Sequence, residues 1–159
     1  MTSTPMPTRG QRMPRSERRA QLLDAAQAVF VQSGYHAAAM DEIADRAGVS
    51  KPVLYQHFPG KLDLYLALLD KHCDTLESLV RAALEVGGDN EVRVERTVAA
   101  YFQFVTSAGA AFRMVFESDL TSVPQVRARL DAVEMNCAEA IAEVIAEIRI
   151  MLAYSARKN

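Results

Sequence analysis

The chain has 159 residues, half of them hydrophobic, and a formal net charge of −2 at neutral pH. That length and apolar content allow a folded core and exclude a wholly disordered chain. No apolar run approaches the roughly 20 residues of a membrane-spanning helix, and the N-terminus lacks the apolar segment of a secretory signal, so we expect a cytoplasmic protein without a membrane partner.

The small net charge conceals an uneven distribution along the chain. Residues 1–60 contain seven Lys and Arg against five Asp and Glu, whereas residues 61–159 contain eleven against fifteen. The N-terminal part is therefore the candidate for a polyanionic partner, although solvated basic tails are common. Its positive charge is densest at five arginines, which are Arg9, Arg12, Arg15, Arg18 and Arg19.

The first predicted elements are a flexible basic arm and a helix. Residues 1–15 combine prolines and arginines without apolar periodicity, which predicts the arm. Apolar residues then recur at helical spacing and predict a helix over residues 16–33, with Ser16 as its N-cap and Gly34 as its C-terminal stop.

Two short apolar-periodic segments follow over about residues 39–58, joined around Gly48. Each is too short to be stable alone, so the two must pack together as helix, tight turn and helix. Ser50 is the predicted cap of the second segment, and Pro52 lies in its first turn, where a missing N–H costs nothing.

The remainder of the chain predicts three more helices, so the expected fold class is all-α. A long helix spans 62–84, a fifth spans about 91–107 and ends before Gly109, and Pro124 opens a last long helix. The apolar stripe of the first of these is Leu62, Tyr65, Leu66, Leu69, Cys73, Leu76, Val80 and Ala83. The last helix has an apolar stripe at near-heptad spacing, which favours packing against other helices. The residues of this stripe are Val126, Leu130, Val133, Cys137, Ile141, Val144, Ile148 and Met151.

The second short helix has the properties of a DNA reader. A short helix on a tight turn places side chains in a major groove about 12 Å wide, while neighbouring groups hold the phosphates. Lys51, Tyr55, His57 and Lys61 supply hydrogen-bond donors around it. From the residues alone an alternative stands, in which Tyr55 and His57 are half-buried packing residues and Lys61 is an ordinary cation at the start of the long helix.

Residues at fixed spacings in this part of the chain resemble the N-terminal domain of TetR-family regulators. The ungapped match runs over about residues 16–76 and comprises Gly34 and Tyr35, Ile43 and Ala44, the run AGVS at 47–50, Leu54 and Tyr55, His57 and Phe58, and Lys61. The resemblance implies a DNA-binding domain over 16–76 and a helical region over 77–159 that binds a small molecule and dimerises. It implies a homodimer that reads double-stranded palindromic operator DNA, and we expect a repressor that a small-molecule ligand releases from this operator.

The resemblance also assigns DNA contacts to particular residues. Tyr55, His57 and Lys61 match phosphate contacts, and Lys51 either reads guanine or holds phosphate. Gln56 is the best candidate for reading a base edge, because an amide can pair bidentately with adenine. The full set of predicted DNA-binding residues is Ser50, Lys51, Pro52, Val53, Tyr55, Gln56, His57 and Lys61.

One departure from the family pattern bears on DNA affinity. Ala38 and Ala39 stand where the family often has two threonines before its second helix. The change removes a hydroxyl cap, which costs about 1 kcal/mol, and a phosphate donor. Asp41 offsets part of the loss through the helix dipole, so we expect weaker DNA binding than usual.

The C-terminal half offers candidates for an effector pocket, although an aromatic stripe at helical spacing is more often core. The expected effector is an unidentified apolar or amphipathic small molecule. The candidate ligand-binding residues are Tyr101, Phe102, Phe112, Arg113, Phe116 and Met135.

Two other functions compete with a ligand-responsive repressor. An enzyme needs convergent catalytic groups, but His36, His57 and His72 are scattered, and Cys73 and Cys137 have no metal-ligand spacing. We therefore predict no enzymatic activity, no cofactor and no metal. A helical binding or dimerisation protein that has lost DNA affinity is the other alternative.

The final helix raises an expectation about dimerisation. Residues 148–159 continue the apolar pattern and end in a basic tail, whereas the resemblance implies two further helices that form a bundle between subunits. We expect region 77–159 to be incomplete and the homodimer to be impaired or rebuilt. The alternative is a naturally short member with a two-helix interface.

Overall fold

The computed structural model describes residues 13–85, 87–116 and 119–157, and these form helices without any strand, so the all-α prediction is confirmed. None of the described helices combines the length and apolar character needed to cross a membrane. Of the predicted arm, residues 1–12 lie outside the described part. The helices are α1 (Arg15–Ala37), α2 (Met40–Ala47), α3 (Lys51–His57), α4 (Lys61–Glu85), α5 (Asn90–Phe116) and α6 (Pro124–Ala156), with a 3₁₀ turn at Asp119–Ser122.

Helix α1 begins and ends at positions that differ from the predicted ones. Pro14 occupies the N-cap position, and its carbonyl accepts the Arg18 amide at 3.0 Å, so the prediction that Ser16 caps the helix is wrong. The N-cap therefore lies two residues before the predicted one, and the helix itself begins one residue earlier, at Arg15. Gly34 has φ +75° and interrupts the helix as expected, but one more turn follows to Ala37.

The turn between α2 and α3 has the predicted geometry. Gly48 adopts φ +65°, a left-handed conformation that suits glycine at a helix C-terminus, and the Val49 amide donates to the carbonyl of Ala44 at 3.0 Å. Ser50 occupies the N-cap position of α3, but its side chain makes no capping hydrogen bond. Its carbonyl oxygen accepts the amides of Val53 and Leu54 instead, so the prediction of a side-chain cap is wrong.

The core lies where α1, α2 and α3 meet the first half of α4. Leu64 and Leu68 of α4 are fully buried there, although the predicted stripe omitted both. Because α4 packs against α1 on one side and against α5 and α6 on others, its buried face is wider than a single stripe. Among the side chains that the structure describes, the largest fully buried ones are Tyr65, Phe30, Phe58, Phe104, Leu22, Ile43, Leu54, Leu64, Leu68, Leu69 and Val29.

Helix α4 runs parallel to α6 and is tied to it by polar contacts. Arg129 donates to Asp70 at 2.6 Å and Asn136 donates to Glu77 at 3.1 Å, and the partners of each pair are 59 residues apart. Equal separations in both pairs mean that the two helices advance in the same direction. The same α4 is joined to α1, because Lys71 donates to Asp24 at 3.1 Å.

The predicted stripe of α6 is buried only in its first half. Val126 and Val133 belong to the main core, whereas Ile141 and Met151 are exposed. Helix α5 extends beyond its predicted end to Phe116, with a kink at Gly109, where φ is +45°. Gly109 therefore breaks the helical geometry as predicted, but the break is a kink within one longer helix.

We expect Ala39→Ser to stabilise the protein. Ala39 is the exposed N-cap residue of α2, has an extended backbone and offers no side-chain acceptor to the first helical amides. A serine hydroxyl there accepts one of these amides and contributes about 1 kcal/mol. For a chain of this size, that corresponds to a rise in Tm of roughly 2–4 °C in thermal unfolding followed by circular dichroism.

The matched control is Ala20→Ser, which places the same hydroxyl at an exposed position in the interior of α1. Serine is slightly unfavourable inside a helix, so Tm should fall or stay constant. Equal shifts in the two variants would contradict a missing cap at Ala39.

Candidate DNA-binding surface

Helix α3 is anchored by one buried residue and presents most of the others to solvent. Leu54 is fully buried, whereas Lys51 and Gln56 are exposed and the Tyr55 side chain is 46% exposed. Nearly half of Tyr55 is therefore accessible to a partner. His57 is half-buried at the end of the helix, between solvent and the core.

A cleft of about 910 Å³ with both polar and apolar walls separates α3 from the start of α1. Arg15 and Arg18 enter it from α1, and Gln56 and His57 enter it from α3. The sequence predicted the arginines and the reading helix as separate features, and the fold places them on one surface. This arrangement can hold a phosphate backbone beside the helix that reads bases. The complete lining is Met13, Pro14, Arg15, Arg18, Gly48, Val49, Ser50, Val53, Gln56 and His57.

Burial and three neighbouring arginines favour the neutral form of His57. Burial lowers the pKa of His57 below its ordinary value, and the charges of Arg15, Arg19 and Arg18 lower it further. The imidazole is therefore neutral at neutral pH and offers one N–H as a hydrogen-bond donor.

Two side chains of α1 hold the helix–turn–helix in place. The Arg19 guanidinium lies 4.3 Å from the centre of the Phe58 ring and donates to the His57 carbonyl at 3.4 Å. Gln21 donates to the carbonyl of Ala47 at 2.9 Å. These contacts satisfy carbonyls at the C-termini of α3 and α2, which have no partners within their own helices. Sequence reasoning missed these roles, because no local pattern pairs residues 38 and 26 positions apart.

Lys51 forms an ion pair with Asp41 across the helix–turn–helix. The hydrogen bond and charge of Asp41 raise the pKa of Lys51, so the lysine remains protonated. The dipole interaction predicted for Asp41 is therefore not its only one, since its carboxylate also pairs with the Lys51 ammonium.

Lys61 lies at the head of α4, half-buried, and its ammonium faces the end of α1. Its ammonium donates to the carbonyls of His36 at 3.1 Å and Ala38 at 3.0 Å, and it lies 4.7 Å from the centre of the Tyr35 ring. The other residues assigned to DNA contacts lie in or directly before α3.

A second, mainly apolar cleft of about 730 Å³ lies between α4, α5 and α6. Among the predicted ligand-binding residues, Tyr101 lines it, whereas Phe102 and Met135 are 63% and 60% exposed and do not. The side chains of Phe112, Arg113 and Phe116 lie outside the described part of the structure. The cleft is lined by Leu76, Val80, Thr97, Val98, Tyr101, Thr121, Arg127, Leu130, Asp131, Val133, Glu134, Cys137, Ala138 and Ile141.

The two cysteines have the properties of structural thiols. Cys73 is buried and Cys137 is half-buried, both with free thiols. Burial raises the pKa of Cys73 to about 11 and also raises that of Cys137, which leaves little reactive thiolate at neutral pH. Within the described residues, no cluster of three or more His, Cys, Asp or Glu has the arrangement of a metal site.

The fold and the α3 surface together define a helix–turn–helix protein with an all-helical body. A family model described as "Bacterial regulatory proteins, tetR family" matches residues 22–68. The HTH-type transcriptional activator FasR of Mycolicibacterium smegmatis is 51% identical over 149 residues, which are 94% of this chain and 68% of that protein. The chain therefore belongs to the TetR family, as the resemblance implied, and is a DNA-binding transcriptional regulator.

More distant relatives agree on the DNA-binding part and on the fold. The HTH-type transcriptional regulator TtgR of Pseudomonas putida is 39% identical over 67 residues, 42% of this chain and 32% of that protein. A TetR-family regulator from Streptomyces coelicolor shares the fold with a TM-score of 0.69 at 30% identity, over 84% of this chain and 60% of that one. The fatty acid degradation regulator FadR of Bacillus halodurans reaches a TM-score of 0.73 at 23% identity, over 85% and 70% of the two chains, and supports the fold alone.

We expect Asp41→Asn to strengthen binding to duplex DNA of any sequence. The variant releases Lys51 from its carboxylate partner, so one more ammonium is available for a phosphate. The plot of log affinity against log salt should become steeper by about 0.9, the contribution of one phosphate contact. Fluorescence anisotropy of a labelled duplex at several salt concentrations measures both quantities.

Asp24→Asn is the matched control, because it removes the same charge and frees Lys71, which lies on α4 rather than on α3. Its effect on the slope should be negligible. Equal changes in the two variants would indicate a general effect of net charge and would contradict the competition at Lys51.

Proposed function

We propose that the protein binds a palindromic operator as a homodimer, reads bases through the exposed face of α3, and responds to an apolar or amphipathic small molecule. The observation that carries the proposal is the shared surface of α3 and the arginine-lined cleft, on which a base reader and phosphate donors lie side by side. This arrangement suits a helix in the major groove, with its flanking backbone against α1. A DNA partner also supports the expected cytoplasmic location.

Within this surface we assign base reading to Gln56 and backbone contacts to its neighbours. Gln56 is exposed on α3 and lines the cleft, so its amide can pair with a base edge. Tyr55, His57 and Lys51 supply hydroxyl, imidazole and ammonium donors for phosphates on either side. Ser50, Pro52 and Val53 form the end of α3 that enters the groove first.

The apolar cleft supplies a route by which a ligand can act on DNA binding. Its walls include Leu76 and Val80 of α4, and the same helix contacts α1 through Lys71 and through His72, which lies 3.0 Å from Gln27. A ligand in this cleft contacts both α4 and α6, so one that binds better when the two helices are displaced favours that state. A shift of α4 then changes the placement of the DNA-binding helices, and a ligand that favours the shifted state lowers operator affinity.

The chemistry of the cleft favours a ligand with a long apolar part and a polar head. Val98, Leu130 and Val133 contribute apolar wall, whereas Arg127 and Asp131 contribute charge. The structure of FadR from Bacillus subtilis was determined in complex with stearoyl-CoA, but at 19% identity this similarity supports the fold and not the ligand.

Whether the protein represses or activates transcription depends on where its operator lies. The resemblance implies a repressor, whereas the 51% identical relative is named an activator. Operator position relative to the promoter sets the sign, because a protein over the polymerase site blocks it and one upstream can recruit it. A reporter fused to the selected operator, with and without the protein, measures it.

Selection of bound duplexes from a random pool tests the DNA-binding proposal, and two variants of α3 should respond differently. Tyr55→Phe removes a phosphate donor, so it should weaken binding to all sequences alike. Gln56→Ala should change the base preference at one position of each half-site, by roughly 1–3 kcal/mol for a bidentate contact. An unchanged preference in Gln56→Ala would remove Gln56 from the reading residues, and failure of the wild-type protein to enrich any duplex would favour a helical binding protein without DNA affinity.

The effector site is tested by filling the cleft. Ala138→Trp places an indole in it, because Ala138 is exposed and lines the cleft on α6. A long-chain acyl-CoA, chosen because it joins an apolar chain to a charged head, should release labelled operator from the wild-type protein but not from this variant. Ala132→Trp is the control, since Ala132 is exposed on the same helix but does not line the cleft. Equal release from both variants would place the effector elsewhere.

A further inference from the structure

We propose that Lys61 is a positioning residue that holds the α1–α2 connection against the head of α4, and not one of the phosphate contacts. The inference builds on the proposed function, because its consequence is the orientation of α3 on DNA. It departs from the role that the family resemblance implied for this lysine.

The Lys61 ammonium is engaged on three sides by the end of α1 and the residue that follows it. Two of its N–H groups donate to the carbonyls of His36 and Ala38, at 3.1 and 3.0 Å, and the Tyr35 ring centre lies 4.7 Å away. A lysine has three N–H donors, so these two hydrogen bonds use most of its donor capacity. The side chain is also half-buried, whereas the Lys51 side chain is 58% exposed.

The carbonyls that accept hydrogen bonds from Lys61 lack helical partners because α1 is interrupted at Gly34. The last carbonyls of a helix have no partners within it, and the break leaves those of His36 and Ala38 facing the head of α4. Ala38 is itself 3% exposed, and its amide donates to the Gly34 carbonyl at 3.1 Å, so this residue is buried and hydrogen-bonded through both its amide and its carbonyl. A cation near a helix C-terminus is electrostatically favourable, which adds to the hydrogen bonds.

The ring beneath the ammonium is itself held by neighbouring aromatic side chains. Tyr35 stacks on Phe30 with 5.8 Å between ring centres and meets Tyr65 edge to face at 5.3 Å. Phe30 belongs to α1 and Tyr65 to α4, so this cluster joins the same two helices that Lys61 joins. The Tyr35 ring that the ammonium contacts is therefore held by side chains of both helices.

The α1–α2 connection that Lys61 holds leads directly into the helix–turn–helix formed by α2 and α3. Ala39 is the N-cap of α2, and the Ile43 amide donates to its carbonyl at 3.2 Å. Helix α2 then meets α3 through the tight turn at Gly48. A displacement at residue 38 is therefore passed through one eight-residue helix to the surface that contacts DNA.

Lys61→Met tests the proposal, because it keeps the aliphatic stem and removes the donors and the charge. We expect amides of residues 38–43 to exchange with deuterium at least several-fold faster in the free variant, and affinity for the selected operator to fall several-fold. The slope of log affinity against log salt should be unchanged, since no phosphate contact is lost. Arg149→Met is the control: it removes one positive charge from an exposed position near the end of α6, away from the α1–α2 connection, and should change neither quantity.

Each outcome distinguishes a positioning role of Lys61 from a direct phosphate contact. A slope that flattens by about 0.9 would show a direct phosphate contact and overturn the proposal. Unchanged exchange at residues 38–43, or faster exchange with unchanged operator affinity, would overturn it as well. Lys61→Gln is the milder second variant, whose amide can still donate to one carbonyl, and its exchange and affinity should lie between those of the wild type and Lys61→Met. If the wild-type protein bound no duplex, the proposed function would fail, while the exchange measurement would still decide whether Lys61 holds the connection.

Discussion

The constraint on which the structure depends is that two helices of eight and seven residues cannot be stable alone. Their stability comes from burial of Ile43, Leu54 and Phe58, each at most 2% exposed, against α1 and the first half of α4. Because Leu54 must point into this core, the opposite side of α3 must face solvent. The exposure of Tyr55 and Gln56 thus follows from the burial of their neighbour.

The same burial makes α4 the central element of the molecule. Its first half closes the core beneath the helix–turn–helix, and its second half lines the apolar cleft with α5 and α6. The main buried cluster continues from Leu22 and Phe30 to Val126 and Val133 of α6 without a gap. A core shared in this way, with polar ties from α4 to both α1 and α6, gives a physical basis for coupling between the cleft and the DNA-binding surface.

The cations of the N-terminal part divide into two groups according to what they contact. Arg19 and Lys61 donate to carbonyls at helix ends and lie over aromatic rings, so their charge serves the fold. Arg15 and Arg18 line the open cleft, and Lys51 is exposed with a carboxylate as its partner. A count of positive residues therefore overstates the charge available to DNA, and the family pattern alone does not distinguish the two groups.

The sequence by itself determined what depends on neighbours within a few residues. The 3.6-residue periodicity, the glycines at 34, 48 and 109 and the prolines at 52 and 124 were sufficient for the order of helices, their breaks and the position of the helix–turn–helix. The family motif added the identity of the reading helix. Only the tertiary structure decided which polar groups meet, because the pairs Arg19 with His57, Lys61 with Ala38 and Arg129 with Asp70 are separated by 38, 23 and 59 residues. The same holds for the width of the buried face of α4 and for the lining of the apolar cleft, since both depend on the angles at which helices pack, and these are set by the whole core rather than by any local segment.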